Sequence, residues 1–299
     1  MPSLPTDGFR ARAIRSLLFT LMAAIFAGGA AAQTSDQAPE AILKAYDFLS
    51  DERDSPKIGR KLKEISGLAL TTDGRLLAHG DEKAVLYELG YDGSAVKSWS
   101  LTDMKKPVSD DFEGVAVADN QIYLVTSSGR LYESLEGNDG EQVLYTVYTT
   151  GVGRDCEIEG LAYDTVRGHL LLLCKDSRKH EMEGKIGIYR WSVRSKALVS
   201  NAHEFLPLGL AAKTLSGRKF EPSGIEIDPT TGHYLIIAAR QHAIVELAPD
   251  GQILATVLLP KDHHPQAEGI TIDSSGLLII ADEGGGKLAR VSFYRRAPR

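Results

Sequence analysis

Acidic side chains recur beside a glycine five times along this chain. An acid stands three positions before four of these glycines and directly before three of them; the glycines are Gly67, Gly114, Gly160, Gly224 and Gly269. Some copies of the repeat, such as Glu157-Ile158-Glu159-Gly160, carry an acid at both positions. Carboxylates bind hard cations, carry protons or pair with basic side chains, so the acids of this repeat are the candidate functional residues of the sequence.

Electrostatics limits how such acids can be arranged. Two carboxylates about 5 Å apart at an effective dielectric of about 20 repel each other by roughly 3 kcal/mol. A group of them therefore needs a bound cation, added protons, or Lys and Arg partners. Lys175 and Arg240 could neutralise two of the acids, while seven or more are present. We therefore expect a cation, and the alternative of a structural network with backbone amides and basic side chains stays open.

The kind of cation follows from the kind of ligand. The repeat supplies carboxylate oxygens and no clustered thiolates, which favours Ca²⁺ over Mg²⁺ because Ca²⁺ tolerates irregular oxygen cages. The pair His263-His264 just before Glu268 is a weaker alternative that would suit zinc. No glycine-rich phosphate loop or nucleophile elbow occurs in the sequence.

The spacing of the repeat predicts the elements that position these acids. Successive repeat glycines are 47, 46, 64 and 45 residues apart, and a period near 45 with hairpin signals is typical of a β-propeller. The sequence predicts an all-β, five-bladed β-propeller, with a short helical insertion at 207–219 between blades three and four. The acids would begin the inner strands and meet at one mouth of the central channel, and the glycines would give the backbone room at the axis.

The last blade indicates how the ring closes. Only three strand-like runs follow Gly269, so blade five lacks an outer strand. We expect the N-terminal segment Tyr46–Leu49 to supply that strand, since closure removes edges that would otherwise pair with other chains.

The N-terminus has the features of a secretory signal. Residues 1–32 contain a basic start, an apolar core at 17–26 and an Ala-rich cleavage site, and the apolar core is shorter than the ~20 residues that span a bilayer. We expect a linker at 33–40 and the propeller at 41–299 of a periplasmic or secreted protein without a stable membrane span; an uncleaved inner-membrane anchor is the less favoured alternative. The net charge of −6 argues against nucleic acid as a partner.

Two cysteines, Cys156 and Cys174, both fall in the third repeat. An oxidising compartment would favour a disulfide between them. However, a turn near Val166 places Cys174 opposite about Glu159, so pairing requires a bulge. A disulfide and two buried free thiols both remain open.

These repeats resemble the SdiA-regulated family of bacterial propellers, also called the YjiK/CarP family. The segments that carry the resemblance span about residues 43–294 and are Glu64-Ile65-Ser66-Gly67, Asp111-Phe112-Glu113-Gly114, Glu157-Ile158-Glu159-Gly160, Pro222-Ser223-Gly224, Gln266-Ala267-Glu268-Gly269 and Asp282-Glu283-Gly284-Gly285. The resemblance implies a five-bladed propeller with a calcium site at the channel. Carried over residue by residue, it implies Glu113, Glu159 and Glu268 as the first ligands, with a second set of Glu64, Asp111, Glu157 and Glu221. Ser66, Ser223 and Gln266 replace acids of the repeat, so the ring is uneven.

The sequence therefore predicts an exported calcium-binding protein concerned with binding or calcium homeostasis. The rival hypothesis is a calcium-dependent hydrolase of lactones or phosphate esters. A small anionic ligand could lie beside the calcium ion. The residues expected to contact such a ligand are His79, Lys175, Arg240, Asp282 and Glu283.

Overall fold

The structure, a computed structural model, describes residues 40–178, 180, 185–207 and 220–298. The predicted signal peptide, most of the linker and the predicted helical insertion after Pro207 lie outside the described residues. No helix within the described part of the chain has the length and apolar character that crossing a bilayer requires.

The fold is a five-bladed β-propeller, as the repeat predicts. Antiparallel strands build the blades in sequence order: β1 (Ile65–Leu70), β2 (Leu76–Gly80), β3 (Val85–Leu89) and β4 (Ala95–Asp103) in blade one; β6 (Phe112–Ala118), β7 (Gln121–Thr126), β8 (Arg130–Ser134) and β10 (Tyr145–Thr149) in blade two; β11 (Cys156–Asp164), β12 (His169–Ser177), β13 (Lys185–Ser192) and β14 (Ala197–Pro207) in blade three; β15 (Gly224–Ile227), β16 (Tyr234–Ala238), β17 (Ala243–Leu247) and β18 (Ile253–Leu258) in blade four; β19 (Ala267–Ile272), β20 (Leu278–Asp282) and β21 (Arg290–Tyr294) in blade five. Two short strands, β5 (Lys106–Pro107) and β9 (Gln142–Val143), pair with β4. The helices in the described part of the chain are short 3₁₀ turns at Ile42–Ala45, Arg60–Leu62 and Val152–Arg154.

The core lies between the blades. Successive side chains of a strand point to opposite faces, so each inner strand packs against both of its neighbours. Leu161 joins a buried cluster that contains Tyr123 of blade two, whereas Ala162 joins one that contains Ile236 of blade four. Strands buried on both faces read as continuous apolar runs, which explains the apolar runs in each repeat.

The repeat glycines allow the inner strands to pack backbone against backbone around the axis. A Cβ added to Gly114 would lie 2.7 Å from the backbone nitrogen of Leu161, and one added to Gly160 would lie 3.2 Å from the Cα of Gly224. The prediction that these glycines provide room at the axis is therefore confirmed. A side chain at Gly114 would force the neighbouring backbone to shift, and one at Gly160 would require a smaller adjustment of the next blade.

The prediction that Tyr46–Leu49 forms the closing strand is wrong in its position. The N-terminal segment meets β21 further along, through bridges that pair Asp54 with Phe293 and Lys57 with Arg290. Backbone hydrogen bonds from Phe293 N to Asp54 O (2.9 Å) and from Ile58 N to Ala289 O (2.8 Å) complete this edge. The ring is closed by an N-terminal segment, as expected, but by residues 54–58.

The earlier residues are held elsewhere because their side chains are apolar. Tyr46 and Phe48 are buried together with Ile42 and Leu43 in the cluster between blades four and five. The buried carboxylate of Glu246 accepts hydrogen bonds from the backbone nitrogens of Ile42 and Leu43, both at 2.9 Å. This satisfies donors at the start of a 3₁₀ turn, where no backbone acceptor is available.

Candidate functional site

One mouth of the central channel contains a cavity of about 260 Å³ that we call the acidic cavity. The loops that enter the inner strands bring acids there from the blades. Its lining includes Glu64, Ser66, Asp81, Asp111, Glu113, Glu157, Glu159, Lys175, Glu268 and Glu283. The sequence prediction that leading acids gather at one mouth is met by this arrangement.

Three glutamates from three different blades form the centre of the acidic cavity. Glu113 lies on β6, Glu159 on β11 and Glu268 on β19, and Glu159 is only 5% exposed. The Ser66 hydroxyl donates a hydrogen bond of 3.2 Å to Glu113 Oε2. A serine in the place of the repeat acid thus becomes a donor to the neighbouring glutamate.

Lys175 is the one basic residue among the described residues that line this cavity. Its Nζ lies 2.7 Å from Glu159 Oε1 and 3.8 Å from Glu157 Oε1. One ammonium group therefore serves several carboxylates, and most of the negative charge at this mouth has no basic counterpart in the cavity.

The pKa values of the three glutamates show the effect of this imbalance. Burial, and then the charge of Glu159, raises the pKa of Glu113. Burial also raises the pKa of Glu159, although the hydrogen bond from Lys175 opposes the shift. For Glu268, burial raises the pKa to about 7. The cavity thus favours a proton or another cation on these side chains.

The secondary acids lie at the rim, with one exception. Glu64 pairs with Lys63 at 2.9 Å, and Asp111 accepts a hydrogen bond of 2.5 Å from the Ser127 hydroxyl. Glu221, predicted as a further ligand, does not line the acidic cavity and instead pairs with Arg240 at 3.1 Å. A different set of neighbours, described below, surrounds it.

Two of the residues expected to contact a ligand, His79 and Asp282, are buried away from the acidic cavity. His79 is fully buried; its Nδ1 lies 3.0 Å from Gly80 O, and burial lowers its pKa to about 4. Asp282 is also buried, with Oδ2 2.8 Å from Nδ1 of His264. Both residues lie at the ends of second strands, but their side chains are buried and do not line the acidic cavity.

The histidine pair considered for zinc is occupied by other contacts. His263 Nδ1 lies 3.1 Å from Phe48 O, and its Nε2 lies 3.1 Å from Asp51 Oδ1. His264 contacts Asp282 and, through Nε2, the Tyr294 hydroxyl at 2.5 Å. These rings anchor the N-terminal segment and blade five, and this role accounts for both residues.

A second cavity of about 400 Å³, which we call the basic cavity, adjoins the first. Its lining is Lys175, Glu221, Ser223, Ala239, Arg240, His242, Lys261, Pro265, Gln266 and Glu268. Lys175 and Glu268 line both cavities. Sequence reasoning missed His242 and Lys261, although both lie in loops that open at this mouth: the β16–β17 turn and the segment that enters β19.

The cysteines are joined in a disulfide between β11 and β12. Cys156 lies opposite Ser177, whereas Cys174 lies opposite Ile158, and the register shifts on both sides of Ile158. These bulges remove the mismatch that the sequence left unresolved. Because Cys156 precedes Glu157 and Cys174 precedes Lys175, the bond fixes the strands that carry the ion pair of the acidic cavity.

The donors of the acidic cavity suit calcium in kind, since they are carboxylates and a hydroxyl. As they stand in the described part of the chain, no three His, Cys, Asp or Glu side chains are arranged to hold a metal ion. The ammonium group of Lys175 lies against the Glu159 carboxylate, which is where a bound metal ion would also lie. The residues therefore fit calcium by their chemistry, and an ion would compete with Lys175 for Glu159.

At the opposite mouth, a cavity of about 320 Å³ contains the side chain of Glu226. Its Oε2 accepts a hydrogen bond of 2.9 Å from the Thr271 hydroxyl, and its Oε1 accepts one of 2.8 Å from Ile227 N. Burial raises the pKa of Glu226 to about 7. This carboxylate stands apart from the acids of the first mouth.

The sequence motifs and the five-bladed architecture agree with a comparison against known families. Residues 148–285 match the model of the SdiA-regulated family. The SdiA-regulated match confirms the resemblance over these residues, which include the acids of β11 and β19 and both cysteines.

Solved structures that resemble this propeller share its fold at low identity. Glutaminyl cyclase of Myxococcus xanthus has a TM-score of 0.54 and 16% identity, over 81% of this chain and 93% of that one. A luciferin-regenerating enzyme has a TM-score of 0.50 and 8% identity, over 81% of this chain and 95% of that one. These likenesses show the propeller fold alone.

Proposed function

We propose that this protein is an exported calcium-binding β-propeller that acts in binding or calcium homeostasis. The observation that carries this proposal is the convergence of Glu113, Glu159 and Glu268, from three blades, on one cavity that Lys175 alone balances among its described lining. Three carboxylates provide the oxygen ligands that calcium prefers.

The raised pKa values support the same proposal. Burial is the first cause for all three glutamates, and mutual repulsion adds to it for Glu113. A divalent cation would relieve both costs, because it neutralises charge and replaces lost hydration. Glu113, Glu159 and Glu268 would hold the ion, and the Ser66 hydroxyl lies beside them. Calcium suits this cavity better than magnesium, which requires a near-octahedral ligand set.

Isothermal titration calorimetry of the metal-free protein with Ca²⁺ and Mg²⁺ tests the proposal. Calcium should bind more tightly than magnesium, and Glu113→Gln and Glu268→Gln should each weaken calcium binding at least tenfold. Glu226→Gln is the matched control, because it removes a partly buried carboxylate from the other mouth. Absence of calcium binding, or an equal loss in the control variant, would contradict the proposal.

A calcium-dependent hydrolase of lactones or phosphate esters is the second candidate function. The adjoining basic cavity favours it, since Lys175 and Glu268 face both the acids and a space for an anionic substrate. His79 is fully buried, so a glutamate of the acidic cavity that does not hold the ion is the better candidate base. A panel of lactones and phosphate esters, with and without calcium, should show turnover that Glu159→Gln abolishes. Calcium binding without turnover of any substrate would favour the first function.

A further inference from the structure

We propose that the basic cavity is a binding site for a small organic anion with two negative charges, located between blades four and five beside the acidic cavity. Three basic residues line it: Lys175, which is largely enclosed and forms its inner side, and Arg240 and Lys261, which are exposed and form its outer side. This inference goes beyond calcium binding, since it concerns a second cavity that shares only Lys175 and Glu268 with the first, and it needs no metal ion.

The basic cavity has an excess of positive side chains, whereas the protein as a whole is negatively charged. Lys175, Arg240 and Lys261 line it against two acids, Glu221 and Glu268, although the whole chain carries a net charge of −6. General attraction of anions to the protein is therefore not expected, so an anion would be drawn to this cavity by its local charge. Complementary local fields of this kind select ligands by charge.

The basic groups differ in how they are held. Arg240 pairs with Glu221 at 3.1 Å, but its side chain is 71% exposed, and Lys261 is exposed as well. Exposed ion pairs contribute little, so an incoming anion can take over the guanidinium at small cost. Lys175 is more enclosed and is bonded to Glu159. The cavity thus offers two adaptable cations at the entrance and one fixed cation inside.

The wall between these cations is already organised. Ser223 donates a hydrogen bond of 2.7 Å to Ala267 O and accepts one of 3.0 Å from Ala239 N, which ties the entry to blade five to the β16–β17 turn. His242 Nδ1 lies 3.0 Å from His264 O, which fixes the imidazole at the cavity wall. Preorganised walls reduce the entropy lost on binding.

The size of the cavity selects a small ligand. About 400 Å³ falls within the range of ligand pockets, roughly 300–1,000 Å³. Cations at both the inner and the outer side favour a molecule with negative charge at two positions. A phosphorylated compound and a dicarboxylate share this chemistry.

Titration of the metal-free protein with inorganic phosphate and, separately, with succinate tests the proposal. Calorimetry should detect binding of at least one probe, and the double variant Arg240→Gln/Lys261→Gln should weaken it at least tenfold. Lys105→Gln, which removes an exposed charge at the edge of blade one, should leave it unchanged. Because both replaced side chains are exposed, the double variant should keep the thermal midpoint of the unaltered protein.

Each outcome decides the matter. Tighter binding of phosphate identifies a phosphoryl ligand, and tighter binding of succinate identifies a dicarboxylate; both support the proposal. Binding of neither probe, or equal losses in the double variant and in Lys105→Gln, would overturn it. The anion titrations contain no metal ion, so the two proposals fail independently. A protein that binds calcium but neither anion would refute this inference and leave the calcium function intact. A protein that binds an anion but no calcium would refute the calcium function and leave this inference intact.

Discussion

Lys175 Nζ lies 2.7 Å from Glu159 Oε1, at the boundary between the acidic and the basic cavities. The same ammonium group therefore balances the glutamates on one side and attracts anions on the other. A cation in the acidic cavity would compete with it, whereas an anion in the basic cavity would stabilise it. Replacement of Lys175 should therefore change calcium binding and anion binding in opposite directions.

Replacing Lys175 with Met should strengthen calcium binding and weaken anion binding. Removal of a positive charge beside the glutamates eliminates the competitor for Glu159, and a gain of about tenfold corresponds to about 1.4 kcal/mol. The metal-free variant should also unfold at a lower temperature, because the carboxylates lose their partner. Calorimetry with Ca²⁺ and with phosphate measures both effects, with Lys105→Met as the control. Weaker calcium binding in Lys175→Met would show that the lysine does not compete with the ion.

Replacing Gly114 with Ala should destabilise the fold, because the added Cβ meets backbone at 2.7 Å in the neighbouring blade. Backbone cannot move aside as a side chain does, so we expect a loss of about 1–3 kcal/mol in the free energy of unfolding. Gly59→Ala is the matched control, since nothing lies within 4 Å of its added Cβ and its φ is −61°. Denaturant titration of the two variants measures the difference; equal stabilities would argue against backbone packing at the axis.

Removing the disulfide with Cys156→Ser/Cys174→Ser should lower the free energy of unfolding by about 3 kcal/mol, since the bond closes a loop between residues 18 positions apart. The bond also holds the bulged start of β11 against the end of β12. We therefore expect weaker calcium binding in the variant at temperatures where it remains folded. Thermal unfolding with and without reductant checks the stability effect. The variant itself should be insensitive to reductant.

Replacing Glu226 with Gln should flatten the pH dependence of stability. The pKa of Glu226 in the folded protein is about 7, above its ordinary value of 4.5, so folding favours the protonated form. Its contribution is complete below pH 4.5 and is lost as the pH rises through 7. At pH 8 the variant should be more stable than the unaltered protein by about 3 kcal/mol, with little difference at pH 4.5. Denaturant titrations at both values measure this, with the exposed Glu52→Gln as the control; a larger gain at pH 4.5 would contradict it.

Much of the fold followed from local information in the sequence. The period near 45, the apolar runs and the turns defined five blades, because each blade is a nearly self-contained set of neighbouring strands. The acids before Gly114, Gly160 and Gly269 could be placed at one mouth, since all inner strands run in the same direction. The helical insertion and the signal peptide remain predictions.

Other features depended on contacts between distant residues. Tyr46–Leu49 looked like a strand, but burial of Tyr46 and Phe48 between two blades decided their position, and residues 54–58 closed the ring. The cysteines paired because bulges around Ile158 changed the register, which alternation alone could not indicate.

The site itself shows the same division. The sequence determined which residues carry charge and which mouth they approach. Only the tertiary structure separated Glu221 from the other acids, buried His79, and placed Lys175 and Glu268 between two cavities. The reason is that the direction of a strand sets the end of the blade at which its residues lie. The partners of a side chain depend instead on its orientation and on loops from neighbouring blades.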